Sequence, residues 1–291
     1  MILDLSAASV PIIRRPGPDI VFDDSVPRFW LGGDPFKSRF FDALSTMFPE
    51  GEKFFIQCVR DYSDRISDPK LANAVKDFTY QEGQHSMVHR NFNNHLKSQG
   101  VDVDGLEGPL RAAFKWLRGH LPTAVTLAQT AATEHLTAVI SHQFLDRLDI
   151  FAKADPRIAA MYYWHAIEEI EHKGVAFDVL KDVAGAGYFT RVLTLMWVTL
   201  AFTLHTFLIM SHMLRADGFS WFARTKLWLR GVWWLYRPGG MLLPLAPHYL
   251  EYFRPGFHPW RSGTSEVYRR WCEAYERTGD ALRAGAVVHP A

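Results

Sequence analysis

Two copies of one short pattern, each inside a stretch of helical periodicity, restrict what this chain can fold into. Glu82-Gly83-Gln84-His85 and Glu169-Ile170-Glu171-His172 both read Glu-x-x-His. On a helix, positions i and i+3 project from one face about a turn apart, so a carboxylate and an imidazole reach one common centre. At ~100° per residue, Val75, Phe78, Glu82, His85, His89 and Phe92 fall on a single stripe, the one a bundle would bury. Two more stretches each set a lone carboxylate in an apolar stripe: Glu52 with Phe48, Phe55, Ile56 and Val59, and Glu134 with Leu127, Thr130, Thr137, Ala138 and Leu145.

Burying four carboxylates in such a core costs several kcal/mol each unless cations neutralise them. Two divalent metals would leave a nearly neutral cluster. A solitary Glu-x-x-His is common on solvated helices, but the order Glu, Glu-x-x-His, Glu, Glu-x-x-His is the pattern of a dinuclear carboxylate bundle. Glu168 and Glu171 lie off the Glu169 direction and read as surface or supporting groups, and Glu50 reads as a helix-start charge. His89 reads as a supporting core histidine. His135 and His142 point away from Glu134, His95 and His120 near helix ends are expected to be exposed, and Tyr162 is expected to be a core aromatic.

Apolar spacing of three and four residues places helices at 37–47, 49–66, 69–98, 121–150, 156–184 and 188–215, with a further pair near 219–236 and 264–278. No sustained period-two alternation appears, so the expected class is all-α, a four-helix bundle with additional hydrophobic C-terminal helices. Residues 1–35, with Pro11, Pro16, Pro18, Pro27 and Pro35, read as an extended N-terminal arm holding no catalytic group. Residues 36–185 read as the metal-binding helical bundle. Residues 100–119, with Gly105, Gly108, Pro109 and a short helix at 110–118, read as the crossover of a bundle whose second and third helices run the same way.

Composition removes several function classes. With 32 Lys+Arg against 31 Asp+Glu the net charge is +1, which supplies no basic field for nucleic acid. Cys58 and Cys272 are the only cysteines, which excludes a disulfide scaffold and clustered-thiolate zinc sites and fits a cytoplasmic protein. The start, with an acid at Asp4 and no basic residue ahead of a long apolar run, lacks the charge order of a secretory signal.

Residues 186–291 read as hydrophobic and aromatic helices packed on the bundle or on a membrane surface. Val192 to Leu214 carries no formal charge and is long enough to cross ~30 Å of hydrocarbon. Thr194, His205 and His212 on one side, and Thr199, Thr203 and Thr206 on the other, argue against full lipid exposure. Trp221, Trp228, Trp233 and Trp234 interleave with Arg224, Lys226, Arg230 and Arg237, which fits the inner face of a membrane or a homo-oligomer interface.

The order of the acid and histidine motifs resembles that of the ferritin-like carboxylate di-iron proteins. His165-x-x-x-Glu169-x-x-His172 is similar to the extra-histidine version in arylamine N-oxygenases such as para-aminobenzoate N-oxygenase, a resemblance over residues 45–180 that implies a seventh metal ligand at His165. Across most of its length the chain resembles the bacterial family of predicted metal-dependent hydrolases. The expected ligands are therefore Glu52, Glu82, His85, Glu134, His165, Glu169 and His172 around two iron ions, with manganese an alternative and zinc if the chemistry is hydrolytic. The expected function is a non-haem di-iron oxygenase or oxidase that uses O2 and an electron donor on a small hydrophobic or aromatic substrate. The alternatives are a binuclear hydrolase that acidifies a bound water and a ferritin-like metal-storage protein.

Overall fold

Asp-Pro pairs start three of the long helices. Pro35, Pro69 and Pro156 sit in a first turn, where a missing N–H costs nothing, and the carboxylates of Asp34, Asp68 and Asp155 accept from the backbone N–H of Lys37, Lys70 and Arg157. The computed structural model describes residues 10–288. Its first five helices are α1 (Pro35–Arg60), α2 (Pro69–Ser98), α3 (Val103–His120), α4 (Thr123–Asp146) and α5 (Pro156–His172). They are followed by α6 (Val175–Asp178), α7 (Tyr188–Ala216), α8 (Trp221–Tyr236), α9 (Ala246–Glu251), α10 (Glu266–Thr278) and α11 (Ala281–Val288). Among the described residues there is no strand, only an isolated bridge between Leu31 and Ala154, so the fold is an all-α bundle.

Residue pairings set the helix directions. Ser86 meets Glu52 and Asn93 meets Ser45, so α1 and α2 are antiparallel. Thr137 meets Glu169 and Glu134 meets His172, so α4 and α5 are antiparallel; His89 with His165 and Gln81 with His172 give the same result for α2 and α5. Helices α2 and α4 therefore run the same way, and the link between them must return from one end of the bundle to the other. That link is α3, tied alongside α1 by Arg111 to Glu50 and Arg118 to Asp61. It is a continuous helix of 18 residues, where the sequence suggested an irregular stretch with a short helix at 110–118. Pro109 is tolerated because Gly105, whose carbonyl it leaves free, is exposed to water.

Helix α1 also runs unbroken through Pro49, where two helices meeting at that proline were expected. Pro49 cannot donate to Ser45 O, but Asn93 Nδ2 on α2 donates to that carbonyl at 3.0 Å and replaces the lost bond. Glu50 is accordingly a buried mid-helix residue paired with Arg111 at 2.9 Å, not a helix-start charge. The expected 156–184 helix stops at His172, and just beyond it Trp260 packs so close to Gly174 that a Cβ there would lie 2.4 Å from the indole nitrogen. Beyond Gly174 the chain continues as α6 and a π turn over Val179–Val183. The expected 121–150 helix ends at Asp146, with a 3-10 turn at Leu148–Ile150.

Helix α4 is rich in Ala and Thr and is buried nearly all round, so its own sequence defines no strong apolar stripe. Its outer side is covered by α7, which also packs on α1 and buries Leu195, Val198, Ile209 and Met210. Helix α8 leans on α1, where Gly231 leaves room for the Phe36 ring, a space any Cβ would fill. Helix α11 lies against α5, with Gly285 beside Ala160. Among the described residues, Tyr188–Ala216 is the one helix long and apolar enough to cross a membrane, and 33% of its most apolar window is buried inside the protein.

Candidate metal centre

Four helices send acid and imidazole groups to one interior point. Glu52 comes from α1, Glu82 and His85 from α2, Glu134 from α4, and His165, Glu169 and His172 from α5; none is more than 5% exposed. They form three overlapping triads, Glu52 with His85 and His165, Glu82 with His85 and Glu169, and Glu82 with Glu134 and His172. Within each triad the ligand atoms lie within 4.8 Å of one another. His172 Nε2 is 3.1 Å from Glu82 Oε1, 3.3 Å from Glu134 Oε2 and 3.6 Å from Glu169 Oε1. Glu169 Oε1 in turn faces His165 Nε2 at 3.0 Å and His85 Nδ1 at 3.9 Å. All seven residues marked in the sequence are brought together.

The electrostatics of this cluster call for cations. Glu52 Oε1, both oxygens of Glu82 and of Glu134, His85 Nδ1 and His172 Nε2 are buried and make no hydrogen bond. Leaving buried polar atoms unsatisfied is costly, most of all when they are ionised. Burial pushes the carboxyls of Glu52 and Glu82 well above the usual range and that of Glu134 up to about 7. Burial acts on Glu169 in the same sense, but without metal a protonated His172 and the His165 ring outweigh it and hold that carboxyl well below its ordinary value, a role that metal ions take over once the two Nε2 atoms are free of protons. Four carboxylates balance two divalent ions, and a donor set of oxygen and nitrogen without thiolate suits iron or manganese. The residues present therefore fit a metal pair.

Hydrogen bonds behind the cluster set the proton positions on two imidazoles. Gln81 Nε2 donates to Ile13 O and to Glu171 Oε2, both pure acceptors, so its Oε1 must be the atom that meets His172 Nδ1 at 3.0 Å. The proton on His172 is thereby held at Nδ1 and the Nε2 lone pair faces inward. A longer relay does the same for His165. Asn93 Nδ2 is occupied by Ser45 O, so Asn93 Oδ1 accepts from Ser45 Oγ; Ser45 Oγ then accepts from His89 Nδ1, and His89 Nε2 accepts from His165 Nδ1 at 2.7 Å. The His165 Nε2 lone pair is left pointing at Glu169. Thr137 Oγ1 donates to Glu169 Oε2 and Ser86 Oγ to Glu52 Oε2.

Several surrounding residues depart from the sequence reading. Of the two roles open to Glu168 and Glu171, surface or supporting, the structure gives the supporting one: both are fully buried, because the arm and α10 cover the outer side of α5. Glu168 Oε2 lies 3.2 Å from His85 Nε2. Glu171 receives the guanidinium of Arg15 at 2.7 and 2.8 Å, together with the Tyr268 hydroxyl at 3.0 Å. Arg15, Gln81, Ser86 and Thr137 were not singled out as supports; Arg15 lies in a proline-flanked arm with no periodicity to mark it. His95 is buried against Gln99 and not exposed, whereas His120 is exposed over Trp116. His135 packs on Tyr252 and Phe257, and His142 Nε2 meets Lys173 Nζ at 3.4 Å; neither joins the cluster. Tyr162 is a core aromatic whose hydroxyl donates to Phe41 O.

A cavity of about 610 Å³ lies between α1, α3, α4 and α7, walled by Phe54, Phe55, Phe114 and Leu117. Phe48, Thr137 and Phe202 line both this cavity and a small space of about 20 Å³ that touches His165 and Glu169. An apolar chamber thus adjoins the cluster through Thr137, the residue bonded to Glu169.

No curated protein and no solved structure matches the chain. A family model matches residues 14–263, a span that includes every residue of the cluster, and the chain belongs to the family described as predicted metal-dependent hydrolases.

Proposed function

We propose that the seven side chains hold two iron ions and that the protein is a non-haem di-iron oxygenase or oxidase acting on a small hydrophobic or aromatic substrate. The observation that carries this reading is the junction of a buried, thiolate-free cluster with an apolar cavity large enough for such a molecule. Glu52, His85 and His165 would hold one ion and Glu82, Glu134 and His172 the other. Glu169, which faces histidines of both groups, would bridge them together with Glu82. When bound there, a ferrous pair would supply two electrons to O2, with further reducing equivalents from an electron donor.

The chain's own residues prepare that chemistry. Thr137 and Ser86 each hold one oxygen of Glu169 and Glu52, leaving the other to coordinate. Gln81 and His89 hold the Nδ1 protons of His172 and His165 and so turn the two Nε2 atoms toward the metals. Phe48 and Phe202 exclude bulk water from the approach.

The test is to load the metal-free protein anaerobically with ferrous iron, admit O2 and follow the optical spectrum and O2 uptake. Two irons per chain and a transient absorption band support the reading. The family's description favours a second reading, a binuclear hydrolase on the same ligands. It expects zinc or manganese to be preferred, ester or amide turnover, and no O2 uptake.

A further inference from the structure

Between Tyr188 and Leu250 the chain carries six Lys or Arg and one acid, Asp217. That acid is engaged by Arg39 and Arg28, so the segment's outward charge is wholly positive. Within it, one face of α7 packs on α1 and α4 while the opposite face is bare. Phe189, Leu193, Met196, Leu200, Leu204 and Leu208 are each more than half exposed and follow one another at helical spacing, a stripe ~28 Å long. Helix α8 adjoins α7 through the edge contact of Phe207 with Trp228, and adds exposed Phe222, Leu229 and Trp233 among exposed Lys226, Arg230 and Arg237. Soluble monomers rarely expose so much contiguous apolar surface. Apolar and tryptophan side chains interleaved with cations match the acyl boundary and the phosphates of an anionic leaflet.

The large cavity has an exposed rim beside the α7 stripe. Trp197 of α7 and Trp116 of α3 both line it, and both are more than half exposed. Within it, Gln129 Oε1 and His205 Nε2 are buried without a hydrogen-bond partner, among walls that are otherwise almost entirely apolar. Such a chamber suits a molecule with a long apolar body and one hydrogen-bonding group.

We propose that the α7 and α8 face rests in the headgroup layer of an anionic bilayer and that the cavity takes an amphiphilic substrate, such as a fatty acyl compound, from that bilayer. Helix α7 lies along the surface and does not cross, because its inner face is committed to protein contacts and Arg191 is buried among Phe177, Tyr252 and Phe257. The substrate half of this proposal rests on the dinuclear centre proposed above; the docking half does not.

The test is flotation of the full chain with vesicles of phosphatidylcholine alone and of phosphatidylcholine mixed with phosphatidylglycerol. The protein is expected to float with the mixed vesicles, and less so as salt is raised. Leu200→Glu with Leu204→Glu should weaken partitioning on the order of tenfold or more, with helicity and metal content unchanged. A wild-type protein that stays behind with both vesicles, or a double variant that floats as well as wild type, overturns the docking. Wild-type self-association that the same double variant abolishes, without flotation, overturns it in favour of a second copy. For the cavity, cis-parinaric acid is the probe. Ala201→Trp, on the cavity wall, should float normally yet bind the probe on the order of tenfold more weakly, by analogy with any filled apolar site. Unchanged probe binding overturns the cavity half. Glu134→Ala should float like wild type, so a failed metal reading and a failed docking reading are told apart.

Discussion

His89 Nε2 lies 2.7 Å from His165 Nδ1, and the direction of that hydrogen bond is dictated from Pro49. The proline frees Ser45 O for Asn93, which turns Asn93 Oδ1 to the Ser45 hydroxyl and leaves His89 as the acceptor for His165. His89→Leu should therefore release the His165 ring and weaken metal binding by about 10–100-fold, as loss of such a support generally does. His89→Gln, which can still accept through its amide oxygen, should recover most of it. Competition with a coloured chelator measures both.

Glu134→Ala should lose at least one of two bound metals, and turnover with it, because α4 offers no other carboxylate at the cluster. Elemental analysis per chain checks this; retention of both metals and full activity would remove Glu134 from the ligand set. Stripping metal from the wild-type protein with a chelator should lower its melting temperature, since the buried carboxylates then lack their counterions.

Arg15 and Glu171 form a forked ion pair in which both side chains are almost wholly buried. Arg15→Met leaves Glu171 with only neutral donors, Gln81, Tyr268 and the Ile13 N–H. Breaking one partner of a buried pair costs about 3–5 kcal/mol. Chemical denaturation should show a loss of that order, and Glu171→Gln in the same chain should restore part of it.

Burial holds the His135 imidazole down at about 3, far below its ordinary 6.5. The folded protein prefers the neutral ring, so this contribution to stability is complete above pH 6.5 and is lost as pH falls from there toward 3. By about pH 5 the wild-type protein should have lost about 2 kcal/mol that His135→Leu, with no proton to take up, does not lose. Denaturation midpoints of the two proteins across that interval give the difference directly.

The cluster was legible because its ligands share the stripe that the helix buries, so one periodicity reported both core and chemistry: Glu82 and His85 lie with Val75, Phe78 and Phe92. What stayed hidden depended on partners distant in the chain. The passage of α1 through Pro49 rests on Asn93, and the burial of Glu168 and Glu171 rests on the arm and α10, neither of which leaves a mark on the periodicity of α5. Helix α3 was hidden for the opposite reason. Its glycines and proline normally punctuate, but here they sit where water can take up the free carbonyl.

Helix α3 returns the chain from α2 to α4 and also walls the large cavity with Pro109, Leu110, Ala113, Phe114, Trp116 and Leu117, yet it gives no side chain to the metal cluster. Connectivity and the shape of the guest chamber are vested in one removable rod. A relative carrying a different crossover would keep its inner chemistry while admitting different molecules, so new selectivity is open to this architecture without disturbing a single inward-facing carboxylate.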